Sequence, residues 1–329
     1  LNGWSLEARL YAEDINKNFL PQSGCLHHLK FPKISDHPNC IIDTGNKKGD
    51  FISPYYDPMI AKIISHGKNR KEAINHLRNC LFDIEVAGIT TNLNLLKKLL
   101  KNNHFREGDI YTKFVENNIE QFMDKDIEPQ LKALASLIIF NNQTPLEQNY
   151  WYNWKPTTYP INIIIGQRVT TFFITKTSNK NFEVAFNNQE FCFSSVSFHD
   201  STLKAKTKNK NFEVKFYVFK DKSTGNKNFT IFSDENTFDA VLKNSLTQDS
   251  VEQSKFEDSV FAPMHGIIKI NNLKIKNRVK KGDVLLKLEA MKMEYSLIAP
   301  RDGIIKEIFC KNGEQVTENS KLLNLEKIK

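Results

Sequence analysis

Polar and apolar positions alternate from Ser5 to Tyr11, which predicts a half-buried strand. Turn chemistry follows at 18–24, and Ile60 to Ser65 predicts a second strand. The period then changes. Ala73, Leu77 and Leu81 fall on one face of a predicted amphipathic helix from Arg70 to Phe82. Thr91 is a candidate cap for a further helix through Leu93, Leu96 and Leu100. Leu131, Leu134 and Ile138 form an apolar stripe on a helix from Gln130 to Phe140, with Pro129 at its start, where a missing N–H is harmless. From Trp151 strands dominate, at 161–165, 169–174, 182–186, 190–193, 212–219 and 229–232. Asn, Lys, Gly and Ser turns separate them at the spacing of an antiparallel barrel or sandwich. Residues 234–259 are polar and charged, a tether with a helical reading for Phe238 to Leu246.

The last segment repeats itself. Ala262-Pro263-Met264-His265-Gly266-Ile267-Ile268-Lys269 is echoed by Ala299-Pro300-Arg301-Asp302-Gly303-Ile304-Ile305-Lys306, an offset of 37 residues. The same offset brings Val279 to Val316, Leu285 to Leu322, Leu286 to Leu323, Leu288 to Leu325 and Glu289 to Glu326. Each half is too small to bury a core alone. Two interlocked halves form a flattened barrel with pseudo-twofold symmetry, and Ala290-Met291-Lys292-Met293-Glu294 joins them as an exposed turn. A lysine in isolation reads as an ordinary surface residue. Here two methionines flank it on an exposed turn, a pattern suited to reading by another protein. A lysine made neutral there can be acylated by an activated carboxylic acid.

Composition narrows the function classes. The chain has 329 residues, room for two or three domains, and an apolar fraction of 40% with 24 Phe, enough for cores. The net charge of +8 is spread among Asn-interleaved lysines such as 206–210, without the basic face or known module that nucleic acid needs. Five cysteines, at 25, 40, 80, 192 and 310, form no CxxC pair and point away from a disulfide framework or zinc site, towards a reducing compartment. No apolar run is long enough to span a membrane. The chain begins at Leu1 without Met, directly before a strand, and reads as a piece of something longer.

Glu289-Ala290-Met291-Lys292-Met293, with Ala262-Pro263-Met264 and Ala299-Pro300 on its flanks, resembles the attachment signature of biotin carboxyl carrier domains. The resemblance runs from about Phe261 to Leu325 and implies biotin bound covalently to Lys292. Lipoyl domains share the fold but usually carry Asp-Lys-Ala at the tip, absent here. The front resembles the C-terminal part of biotin carboxylase domains, of the ATP-grasp family. The matching stretches are 7–14, 18–21, Tyr55-Tyr56-Asp57-Pro58-Met59-Ile60-Ala61-Lys62 and Gly88-Ile89-Thr90-Thr91-Asn92. That resemblance gives Arg9 the role of catalytic arginine, holding bicarbonate-derived species and stabilising the biotin enolate. The plainer reading pairs Arg9 with Glu7 or Glu13 along the strand. No metal ligands are expected in this chain, and His27 and His28 read as loop residues. ATP with Mg or Mn belongs, by the resemblance, to a part upstream of these residues.

The expected fold is multidomain, α+β and β. Residues 1–118 are the end of a biotin carboxylase domain, and 119–233 a helix plus antiparallel β-barrel that docks a carboxyltransferase β subunit. Residues 234–259 are a linker and 260–327 a biotinyl/lipoyl-type barrel sandwich. The order resembles that of acyl-CoA carboxylase α subunits. Leu26-His27-His28-Leu29 and Ile308-Phe309-Cys310 lean towards the 3-methylcrotonyl-CoA branch, of leucine catabolism. Propionyl-CoA or another acyl-CoA stays open, and so does a non-catalytic biotinyl or lipoyl carrier. The implied partners are the β subunit in a hetero-oligomer, a biotin protein ligase, and bicarbonate and acyl-CoA as substrates. The implied place is the cytoplasm of a bacterium or the mitochondrial matrix of a eukaryote.

Overall fold

The computed structural model describes residues 2–123, 126–143, 157–166, 168–178, 180–221, 225–233, 236–243, 259–270, 273–290, 293–317 and 320–326. The front module is built on a three-stranded antiparallel sheet in the order Trp4–Tyr11, Met59–Gly67, Cys40–Asp43. Its inner face carries Ala8, Leu10, Ala61 and Ile63, each at most 5% exposed. The helix Arg70–Phe82 covers that face with Ala73, Ile74, Leu77, Cys80 and Leu81. Its start is fixed reciprocally. Asn69 Oδ1 accepts from Glu72 N at 2.9 Å, and Asn69 Nδ2 donates to Glu72 Oε1 at 3.2 Å. The helix Leu93–Lys101 follows; Asn92 precedes it, and Thr91 Oγ1 accepts from Leu93 N at 3.4 Å.

Eight antiparallel strands form a closed barrel, from Thr158–Ile165 to Thr237–Leu242. Two of them escaped the sequence pattern. Thr202–Lys206 is short and alternates apolar residues with lysine. Thr237–Leu242 corrects two expectations, because residues 237–242 are neither linker nor the front of a helix. Phe238, Val241 and Leu242 have helix-like spacing, but the first and seventh strands both need an edge partner. The segment supplies it, pairing Ile163↔Leu242 on one side and Phe229↔Ala240 on the other. Tertiary pairing overrides local period. Residues 244–258 lie outside the described residues, so the rest of the linker expectation does too.

The helix Pro129–Gln143 is buried on every side from Ala133 to Phe140, not on one stripe alone. It shares one apolar cluster with inward residues of all eight strands, including Ile163, Phe172, Val184, Phe193, Leu203, Val214, Ile231 and Ala240. A helix that is apolar all round needs such an enclosure. Its one buried hydroxyl, Ser136 Oγ, donates to Ala133 O at 2.7 Å.

Barrel and front module meet through specific contacts. Asn94 Nδ2 donates to Thr237 O at 3.2 Å, and Thr237 N donates to Asn94 Oδ1 at 3.1 Å. His28 stacks on Tyr217, and His27 on Phe219, each at 4.4 Å between ring centres. His28 lies on the strand His28–Lys30, which corrects its reading as a loop residue. Glu85 takes His28 Nε2 at 3.0 Å, Lys215 Nζ at 3.3 Å and Lys30 Nζ at 3.4 Å. Burial pushes the Glu85 carboxyl up, but His28, Lys30 and Lys215 together bring it from 4.5 down to about 2. The folded value lies below the unfolded one. The junction therefore has the full contribution above about pH 4.5 and loses it as pH falls towards 2. Acid titration followed by thermal unfolding is expected to show this loss, on the order of 1–3 kcal/mol, and Glu85→Gln is expected to abolish the pH dependence.

Candidate functional site

Pairing in the last module explains how the repeat places its central segment. One sheet has the order Ser259–Phe261, Lys321–Glu326, Gly303–Ile308, Arg278–Val279; the other Met293–Ile298, Val284–Ala290, Gly266–Lys269, Gln315–Val316. Adding or subtracting 37 residues turns one order into the other. Each sheet therefore takes two strands from each half. Equivalent contacts recur: Gly266↔Val316 matches Val279↔Gly303, and Ala262 N to Ser320 O at 2.8 Å matches Ala299 N to Asp283 O at 2.9 Å. The cores match as well, with Ala262 and Ala299, Ile268 and Ile305, and Leu288 and Leu325 all at most 3% exposed.

The hairpin of interest pairs Leu288↔Tyr295, Glu289↔Glu294 and Ala290↔Met293. Met291 and Lys292, the two residues between the last pair, lie outside the described residues, as does the Met293 side chain. The pseudo-twofold relates this end of the hairpin to the end of the module where Ser259 enters and Glu326 leaves. The hairpin end is therefore opposite the end where the chain enters and leaves. Ala290 is buried at 9% exposure. Glu289 and Glu294 face each other across the strands, a repulsive arrangement in isolation. Lys269 resolves it, reaching Glu289 Oε2 and Glu294 Oε1 at 2.8 Å each, and Lys287 adds Glu294 Oε2 at 3.1 Å. Lys269, then Lys287, hold the Glu294 carboxyl below its ordinary range, and the two glutamates hold Lys269 above its own.

Arg9 stands on the opposite face of the front sheet from the core, 59% exposed at its side chain. Glu7 Oε1 accepts from Arg9 Nε at 2.7 Å. Hydrogen bonds donated by Arg9 to Glu7, then Tyr11, raise the Arg9 pKa, so it stays cationic. Across the sheet lie Lys62 and Asp43, paired at 2.7 Å, in register as Arg9↔Lys62↔Asp43. Two cations side by side on an open face, each with one carboxylate partner, suit a small oxyanion. The predicted Glu7 pairing of Arg9 is present; Glu13 instead accepts from Asn92 Nδ2 at 3.0 Å, and burial raises its pKa. Sequence reasoning missed Lys62 and Asn92 as neighbours of Arg9, although both lie in the matched stretches. It missed Lys269, whose only signal was its place in the repeat.

Arg9 and the hairpin belong to separate modules. The two modules touch where Gln315 Nε2 donates to Tyr55 OH. Gln315 lies on the same cross-strand row as Ile267 and Glu289. A third feature is a cavity of about 620 Å³ between front module and barrel, walled by Asp14, Asn94, Lys132, Arg168, Thr237 and Asp239. Burial raises the Asp239 carboxyl, which accepts from Thr230 Oγ1. Arg9, Glu289 and Ala290 do not line it. Among the described residues no group of His, Cys, Asp and Glu is gathered to hold a metal, and no helix is long and apolar enough to cross a membrane.

Residues 7–117 match the family described as biotin carboxylase C-terminal domain, and residues 258–325 the family described as biotin-requiring enzyme. A methylcrotonoyl-CoA carboxylase subunit alpha of Arabidopsis thaliana is 38% identical over 135 residues, 41% of this chain and 18% of that protein. The one of Mus musculus is 26% identical over 312 residues, 88% of this chain and 42% of its own length. A propionyl-CoA carboxylase alpha chain of Caenorhabditis elegans is 41% identical over 132 residues, 40% of this chain and 18% of that protein. The chain thus spans between about a fifth and two fifths of these relatives. It carries a biotin carboxylase C-terminal domain followed by a biotinyl domain, and is related to the α subunits of biotin-dependent acyl-CoA carboxylases.

The repeat makes one quantitative claim about the carrier module. A Cβ on Gly266 would meet Glu289 O at 2.8 Å, and one on Gly303 would meet Glu326 O at 2.9 Å, positions related by the pseudo-twofold. Both glycines allow close strand approach. Gly266→Ala and Gly303→Ala are each expected to cost about 1–3 kcal/mol in denaturant unfolding, by similar amounts.

Proposed function

We propose that this chain is the C-terminal portion of the biotin-bearing α subunit of an acyl-CoA carboxylase, with 3-methylcrotonyl-CoA as the acyl-CoA substrate. The observation that carries the reading is the hairpin closed by Ala290↔Met293, with Met291-Lys292 between them, on the same chain as a carboxylase C-terminal domain. A two-residue connection at the end opposite the tether, between paired strands of a biotinyl module, fits an acyl acceptor presented to other proteins. Lys292 is the attachment residue. Glu289, Ala290, Met291 and Met293 frame it for a biotin protein ligase.

Biotin, once attached, supplies a ureido nitrogen that can carry a carboxyl group between two sites. The chain's own residues orient and stabilise. Arg9, held by Glu7 and cationic at every working pH, offers a fixed positive charge to the oxyanion that develops when that nitrogen loses its proton. Lys62 stands beside it with Asp43 as its counter-ion. ATP, bicarbonate and a divalent cation belong to the rest of the carboxylase domain.

The barrel, with its core filled by the helix Pro129–Gln143, leaves its outer face for a partner, and a carboxyltransferase β subunit is the partner of this reading. The sixteen residues between Leu242 and Ser259 reach at most about 55 Å when extended. A tether of that reach raises the local concentration of the carrier at both sites.

The test is labelled bicarbonate fixation by the full-length subunit in complex with its carboxyltransferase. 3-Methylcrotonyl-CoA is expected to be carboxylated at least about tenfold faster than propionyl-CoA, the discrimination of one well-fitted pocket. A preference for propionyl-CoA would overturn the substrate assignment, and no fixation with any acyl-CoA would overturn the carboxylase reading. In the same complex, Arg9→Ala is expected to slow biotin-dependent ATP cleavage about a hundredfold or more while leaving biotin loading intact.

A further inference from the structure

The strand that carries Arg9 is interrupted one residue later. Its pairing with Met59–Gly67 runs in register to Leu10↔Ala61 and continues at Tyr11↔Met59, so Ile60 has no opposite number. Such a bulge breaks the ladder and re-aims the side chains next to it. Here the groups freed by the bulge find other partners. Ile60 O accepts from Thr44 Oγ1 at 2.7 Å and from Asn46 Nδ2 at 3.1 Å. On the Arg9 side one residue does the work. Asn92 Oδ1 accepts from Tyr11 N at 3.0 Å, and Asn92 N donates to Tyr11 O at 3.1 Å. The same carboxamide donates from Nδ2 to Arg9 O at 3.1 Å and to Glu13 Oε1 at 3.0 Å.

Asn92 is 5% exposed, so water does not compete for these bonds. The chemistry is specific to a carboxamide, which offers one acceptor oxygen and two N–H donors on one planar group. Asp would keep the acceptor, lose both donors and set a second carboxylate against Glu13. Ala would leave buried backbone groups without partners. Asn92 also immediately precedes the helix Leu93–Lys101, so the bulge is stapled to a rigid element.

We propose that Asn92 is a positioning residue for Arg9. Its carboxamide replaces the missing ladder partner at Tyr11 and, through the Arg9 carbonyl, fixes the direction in which the guanidinium leaves the sheet. The inference rests on the reading of Arg9 as the oxyanion-binding residue of biotin carboxylation.

The experiment is a double-mutant cycle in the full-length subunit with Arg9→Ala, Asn92→Asp and both together. It reads kcat for biotin-dependent ATP cleavage and the KM for ATP. Asn92→Asp alone is expected to lower kcat about tenfold to a hundredfold, the effect of misplacing a catalytic group, with the KM for ATP unchanged. In the Arg9→Ala background the same change is expected to alter kcat by less than about twofold, because its effect runs through Arg9. Equal losses in both backgrounds would overturn the proposal and leave Asn92 a fold residue only. An Arg9→Ala variant with normal kcat would instead overturn the reading of Arg9, a separate result. If Asn92→Asp does not fold, Asn92→Ser, which keeps an acceptor and one donor, takes its place in the cycle with the same expected pattern.

Discussion

The carrier module depends on strand exchange between two halves that cannot bury a core alone. Each four-stranded sheet is completed by two strands from each half, so neither half folds without the other. Close backbone approach at Gly266 and Gly303 is the local condition for that exchange. Once the exchange is made, the direct link between halves must be a hairpin at one end, and the chain must enter and leave at the other. The position of the Ala290↔Met293 hairpin end, far from where the chain enters and leaves the module, is thus a consequence of core burial. Glu289 and Glu294 would repel one another at that hairpin, and Lys269 and Lys287 remove the conflict.

The front module and barrel supply one body by joining through Glu85 with His28, Lys30 and Lys215, the two stacked histidine pairs and the reciprocal Asn94–Thr237 bonds. Arg9 stands on the outer face of a sheet whose inner face is held by the helix Arg70–Phe82. Its geometry is therefore set by the same core that supports the barrel junction. The Tyr55–Gln315 contact brings the tip-bearing sheet of the carrier against the front module.

Elements with a strong local period were legible in the sequence. The Ser5–Tyr11 alternation, the Arg70–Phe82 helix and six of the eight barrel strands follow from residue pattern alone. The repeat gave the halves of the carrier and the place of Lys292 between them, because a fixed offset survives any ambiguity in single elements. What was not legible depends on partners distant in the chain. Phe238, Val241 and Leu242 look helical until the barrel needs a closing strand. His28 looks like a loop residue until it pairs in the short strand His28–Lys30 and stacks on Tyr217. Asn92 stood in a recognised motif, but its role lies in a bulge 81 residues away, at Tyr11. Lys269 carried no signal beyond its place in the repeat.

The central claim is that Lys292 accepts biotin. The most direct measurement is the intact mass of this chain after co-expression with a biotin protein ligase, beside Lys292→Ala. The account predicts an increase of one biotin in the parent sequence and none in the variant. An unmodified parent, or a lipoyl adduct on Lys292, would contradict it.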